Sequence, residues 1–198
     1  RNRYAEAEAC YRQAEEAGRN YVLFNPADVL GWRGWNGSSL DVGNVFHQQG
    51  RLTDALGQFR AAAARERDPR NKSGSDISVL DAWRAIQQLE AQQGNLRSAR
   101  AAVAEQRRVG TRIMKERGLN PELVQLVNAG QPGQEFEILA AEGDFAEIHA
   151  RAAEAAAQVA RIPETSTDNR QFRENILRES RNWLIESALR LGRAEEAV

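Results

Sequence analysis

One apolar position recurs along this chain at nearly constant intervals, a few residues after a turn glycine. It is Ala55 in GRLTDA, Ala99 in GNLRSA, Ile148 in GDFAEI and Ala197 in GRAEEA, and Ala7 in RYAEAEACYRQA stands in register with them. The successive intervals are 48, 44, 49 and 49 residues. A period of that length means one supersecondary unit used several times. The stretch from Asp41 to Arg67 shows the unit. Val42, Val45 and Phe46 share one face of a short helix, Gly50 interrupts it, and Leu52, Ala55, Leu56, Phe59, Ala62 and Ala63 then recur at steps of three and four. That is a helix hairpin, and a lone hairpin cannot bury its own apolar faces. The period supplies its neighbours.

Gly43, Phe46, Gly50, Leu52, Ala55, Phe59 and Ala62 together resemble the tetratricopeptide repeat, with small residues where two helices touch and aromatics between neighbouring hairpins. The intervals exceed that family's usual ~34 residues, and the chain is similar to bacterial arrays with long repeats. The resemblance implies an all-α fold, an α-α superhelix: a right-handed solenoid of antiparallel hairpins with the first helix of each pair lining the inner surface. A single repeat domain then divides into a half repeat at 3–18, repeats at 26–67, 76–117 and 121–162, and an incomplete repeat at 169–198. Helical periodicity is already under way at Tyr4, Ala7 and Tyr11, and Ala194 to Val198 open a further helix. The expectation is therefore a piece of a longer chain.

Taken in order, residues 3–17 place Tyr4, Ala7, Tyr11 and Ala14 inward, with Gly18 ending the helix. The next segment, from Pro26 to Leu40, carries Gly31, Gly34 and Gly37, each costing about 1 kcal/mol relative to Ala inside a helix. Ser38 or Ser39 would cap a fresh start, so a kinked or interrupted helix is expected. Ser75 or Asp76 caps a helix with Leu80, Trp83, Ile86 and Leu89 inward, ending at Gly94. A long helix over 95–117 buries Leu96, Ala99, Val103, Val109 and Ile113. Asn120 and Pro121 then open a short helix that ends near Gly130. The GQPG segment forces a break, 134–142 completes the shortened first helix, and Phe145, Ile148, Ala152, Ala155, Val159 and Ile162 form the seam of its partner. A last helix over 169–191 turns Phe172, Ile176, Trp183, Leu184, Ala188 and Leu191 inward.

Chemistry-bearing constellations are missing from the sequence. His47 and His149 have no second ligand at metal spacing, no phosphate-cradling or nucleophile-elbow motif occurs, and Cys10 reads as a small packed residue. No enzyme activity, cofactor or metal is expected. One cysteine precludes an intramolecular disulfide, and no apolar run approaches the roughly 20 residues of a membrane span. These features suit a cytoplasmic protein. The net charge of −1 gives no general attraction to nucleic acid, although 25 of the 27 basic residues are Arg, Lys72 and Lys115 being the exceptions. Seven bases fall between Arg97 and Arg117, and six acids between Glu135 and Glu154. Mutual pairing between these neighbouring elements is the simplest account. No aromatic is interleaved with the Arg run to stack on bases, which argues against nucleic acid as a partner.

The family resemblance implies a protein-interaction scaffold with an extended peptide in its groove. Aligned on Gly50 and Gly94, the groove positions are Leu40, Asn44, His47 and Gln48, then Arg84, Gln88, Ala91 and Gln92. Asn and Gln both donate and accept, and Arg84 can fork onto a carboxylate, so a mildly acidic peptide is expected. The lysines with which some members clamp a terminal carboxylate are absent. Trp32 and Trp35 are the alternative, as an exposed hydrophobic anchor. Other readings are a regulatory or sensor domain of a larger signalling protein and self-association through open repeat ends.

Overall fold

The computed structural model describes residues 2–71, 77–117, 121–163, 167–193 and 195. Among these every regular element is helical. The α-helices are α1 (Asn2–Phe24), α2 (Val29–Gln48), α3 (Leu52–Ala64), α4 (Ile77–Gln92), α5 (Leu96–Arg117), α6 (Pro121–Gly130), α7 (Phe136–Glu142), α8 (Phe145–Arg161) and α9 (Thr167–Arg190), with 3₁₀ turns at Arg65–Arg67 and Gln131–Glu135. The expected caps at Ser75, Asp76 and Asn120, and the helix opened by Ala194 and Ala197, lie outside the described residues.

The turn glycines all do the same work. Gly50, Gly94, Gly143 and Gly192 have φ between +72° and +78°, a left-handed backbone that a Cβ disfavours. At each, the glycine N–H donates to the carbonyl three residues back and the next N–H to the carbonyl five back, as in Gly50→His47 at 2.9 Å and Arg51→Phe46 at 2.9 Å. This two-bond closure satisfies carbonyls that the helix end would leave unpaired. It reverses the chain into α3, α5 and α8.

The helix pairs α2–α3 and α4–α5 pack together. The buried set Val42, Phe46, Ala55, Leu56, Phe59, Ala62, Ala63, Ala82, Ile86, Leu89 and Ala102 joins α2–α3 to α4–α5 as one core. Helices α2 and α4 run side by side in the same direction, linked by Asn36 donating to Ser78 at 3.3 Å and by His47 and Gln92 at 3.3 Å. Helices α1 and α3 do likewise through Arg51–Glu8 at 3.1 Å and Arg65–Glu15 at 3.2 Å. The partners in these four contacts stand 42, 45, 43 and 50 residues apart, which is the sequence interval expressed as lateral contact.

The charged runs pair as their proximity in sequence implies. Arg100 meets Glu142 at 2.7 Å, and Arg107 and Arg151 share Glu135 at 3.0 and 2.7 Å. Two other cations turn the opposite way: Arg108 and Arg112 both reach the buried carboxylate of Glu66 at 2.7 Å.

The N-terminal third departs from the sequence expectation. Instead of an interrupted helix over 26–40, α2 is continuous from Val29, because Asp28 caps it by accepting from the Leu30 N–H at 2.9 Å. Of the three glycines in this stretch Gly31 serves packing, since a Cβ there would lie 2.6 Å from the Tyr21 ring, whereas a Cβ on Gly34 or Gly37 would meet nothing within 4 Å and the helix simply carries them. Gly18 does not end α1 either. A Cβ there would sit 2.9 Å from the Trp35 Cα, so Gly18 is a crossing point inside a longer helix. The face of α1 expected inward is largely open, with Tyr4, Tyr11 and Ala14 exposed, because no described element lies against that side. Cys10 is exposed rather than packed, and Phe172, expected in the core, is exposed as well.

Candidate functional site

Helix α4 displays Arg84, Gln88 and Gln92 at steps of four, which puts them on one face. Each faces a different neighbour. Gln92 meets His47 of α2, Gln88 donates to Glu137 of α7 at 2.8 Å, and Arg84 pairs with Glu179 of α9 at 3.6 Å. On α2, Asn44, His47 and Gln48 are exposed, and the side chains of Asn44 and Gln48 make no hydrogen bond among the described residues. The six polar residues expected to line a groove are therefore contiguous along α2 and α4. Leu40 and Ala91, placed with them by alignment, are not: Leu40 packs against the first core and Ala91 is buried with Ala99 and Val103.

The tryptophan alternative is overturned. Trp32 is fully buried, its indole N–H donates to the Pro26 carbonyl at 2.8 Å, and its ring stacks on Trp35 at 5.6 Å. Trp35 is half-buried beneath the Arg65 guanidinium, 3.8 Å from the ring centroid. Arg65 also donates to Ser39 at 2.7 Å and pairs with Glu15. Burial pulls its guanidinium down to about 10, and Glu15 opposes the shift. This cluster holds α1, α2 and the end of α3 together and presents no anchor to solvent.

Where the strip reaches Arg84 it opens into a cleft of about 510 Å³. The cause is the break at 130–133. Helix α7 stays against α4 and α5, whereas α6 packs on α8 and α9, with Leu126 and Ala129 buried against Val159, Ile162 and Ile176. The space between α5 and α6 is the cleft. Its α5 wall is Gln106, Gly110, Ile113 and Met114; its α6 wall is Leu123 and Val127; and α9 contributes Phe172, Ile176, Glu179 and Trp183. Leu80, Arg84 and Gln87 of α4 close it, with Gln134 and Glu137.

The charges in the cleft come as a set. Glu137 accepts from both Gln88 and Gln87, the latter at 3.4 Å. Burial raises its pKa above the usual carboxylate range; the Gln88 hydrogen bond and Arg84 oppose this, and Glu179 adds to it. The side-chain oxygens of Gln106 and Gln134 are buried without a hydrogen-bond partner among the described residues. Sequence reasoning places Trp183 in the core and reads Glu137 as one acid of a charged run. The signal that could have found the cleft is GQPG, which breaks the helical run between residues 121 and 142.

Among the described residues no group of three or more His, Cys, Asp or Glu side chains could hold a metal ion. No helix there is long and apolar enough to cross a membrane. His149 pairs with Ser187 at 3.1 Å, away from the cleft. No protein-family model matches the chain, and a search of curated proteins finds no significant match.

Proposed function

We propose that this chain is a tetratricopeptide-type repeat scaffold, a solenoid of helix hairpins whose first helices bind an extended segment of a protein partner. The observation that carries this is the division of labour on α2 and α4. Their apolar faces are committed to the core, while Asn44, Gln48, His47 and Gln92 form an exposed polar strip across two parallel helices. An extended peptide presents unpaired backbone N–H and C=O groups, and side-chain amides can satisfy both.

The preference for a mildly acidic peptide does not carry over from the sequence. Arg84 already faces Glu179 and lies beside Glu137, so its charge is locally answered. The peptide is defined by backbone contacts and by the side chains that follow the strip toward the cleft.

The test is selection of a displayed library of linear peptides on the wild-type protein, followed by affinity measurement on Asn44→Ala/Gln48→Ala. Both side chains are exposed, so the variant should melt at the wild-type temperature. Selected peptides should bind it at least about tenfold more weakly, the loss expected for two hydrogen bonds at about 1 kcal/mol each. Equal affinity for wild type and variant would remove the strip as the binding surface.

A further inference from the structure

We infer that the cleft between α4, α5, α6 and α9 is a binding site for a small organic cation: an ammonium or guanidinium group carried on an apolar body. This stands apart from the peptide strip, because it rests on the cleft alone.

Size favours a small molecule. About 510 Å³ falls within the range of ligand pockets, roughly 300–1,000 Å³, and is far more than one anchoring side chain fills. The walls favour an apolar body. Ile113 and Met114 of α5 face Leu123 and Val127 of α6, and the Trp183 ring stands on the α9 side. Trp183 is itself held in place, packed edge-on against Phe136 at 5.7 Å.

The sign of the head group follows from the charges. Arg84 pairs with Glu179 and also acts on Glu137, so among the described residues of the cleft one cation stands against two carboxylates. The side chains of Gln106 and Gln134 can turn either end of the amide toward a ligand, so they accommodate a head group without choosing its charge. The carboxylates choose it. A cation entering here gains Glu137 and Glu179 as charged acceptors, and Trp183, which lines the cleft, is an aromatic ring of the kind that attracts cations. An anion of the same shape would meet two carboxylates and an arginine that already has a partner.

The experiment compares three probes with one body and different heads: 4-phenylbutylammonium, 4-phenylbutanol and 4-phenylbutanoate. Calorimetric titration of the intact chain at neutral pH should show the ammonium binding with a Kd in the millimolar range or tighter, as its size allows. The alcohol should bind more weakly and the carboxylate not measurably. Glu137→Gln/Glu179→Gln should weaken the ammonium at least about tenfold, the cost of removing charged acceptors. Gly110→Leu gives an independent check. A Cβ at Gly110 would meet only the Leu80 Cδ2, at an ordinary 3.9 Å, so the new side chain extends into the cleft without disturbing the helix contact. That variant should melt at or above the wild-type temperature, since leucine favours a helix over glycine, and lose the ammonium. Equal binding of ammonium and carboxylate, undiminished binding to Gly110→Leu, or no binding of the ammonium at about ten millimolar would each overturn the assignment.

Discussion

Gly43 and Phe59 offer a direct measure of how tightly one hairpin closes. Gly43 lies on α2 where α3 crosses it, and a Cβ built there would stand 2.4 Å from the Phe59 Cε1 and 2.7 Å from its Cδ1. The ring has little room to retreat, since Phe59 is 2% exposed and sits among Phe46, Ala62 and Ile86. Gly43→Ala should therefore destabilise by about 1–3 kcal/mol, the usual result of forcing a methyl into a packed core. Phe59→Ala removes the ring and should cost about 3–5 kcal/mol, a large share of a typical total of about 5–15. Combining them reverses the first effect. Without the ring, the methyl introduced at position 43 has space, and alanine brings its helix propensity, worth about 1 kcal/mol over glycine. In the Phe59→Ala background, Gly43→Ala should then stabilise, giving a coupling energy of about 2–4 kcal/mol, well beyond the scatter of about 0.5 expected for independent sites. Urea denaturation of the four proteins of the cycle measures it, with the slope against denaturant used to confirm that all four lose the same structure. If Gly43→Ala changes stability equally in both backgrounds, the helices do not meet ring against glycine and the hairpin geometry is wrong.

Two further outcomes follow from a buried and a half-buried carboxylate. The Glu66 side chain is 1% exposed and receives both Arg108 and Arg112, so Glu66→Gln, which keeps the shape and removes the charge, should lower stability by about 1.5–3 kcal/mol, the worth of hydrogen bonds to a charged group; an unchanged urea midpoint would refute the pairing. Glu137 differs in sign. Burial raises its folded pKa above the unfolded value near 4.5, so the native state holds that proton more tightly, and the stability it lends is present below 4.5 and lost as pH rises through the raised value. Glu137→Gln should accordingly gain in melting temperature relative to wild type across that window and hold the advantage above it, with Arg84 and Glu179 common to both proteins; a difference that is flat from about pH 4.5 to 8, or of opposite sign, would refute it.

The regular parts of this fold are legible because they depend on local chemistry repeated at a fixed interval. A left-handed turn needs glycine, and Gly50, Gly94, Gly143 and Gly192 announce it. The seams of α3 and α8 read correctly because their small and apolar residues recur at helical spacing and are buried. The misreadings fall where glycine has another purpose. Gly18 and Gly31 suggest helix ends, yet each permits close approach of α1 and α2. Nothing local distinguishes a glycine that breaks a helix from one that lets a neighbour touch it. The difference lies in a residue on the other helix, Tyr21 against Gly31 and Trp35 against Gly18.

The candidate sites divide along the same line. The strip on α2 and α4 can be named residue by residue, because a polar face left over from an apolar seam is a periodic feature. The cleft cannot, because it is produced by the failure of the period. A first helix of normal length at 121–142 would lie against α5 throughout and fill the space with its own side chains. The break at 130–133 splits it, so α7 keeps the contact with α4 and α5 while α6 follows α8 and α9. The interrupted helix leaves Met114 lining a space, beside Ile113, which is also packed with Val79 and Val109, and Glu137 and Arg84 line the same space. A helical fold that needed only to be stable would close such a gap, since apolar walls held apart forgo the burial that drives packing. The cleft is therefore the place in this chain where regular packing yields to something else, and a ligand that covers those walls and answers its two carboxylates would restore what the break removes.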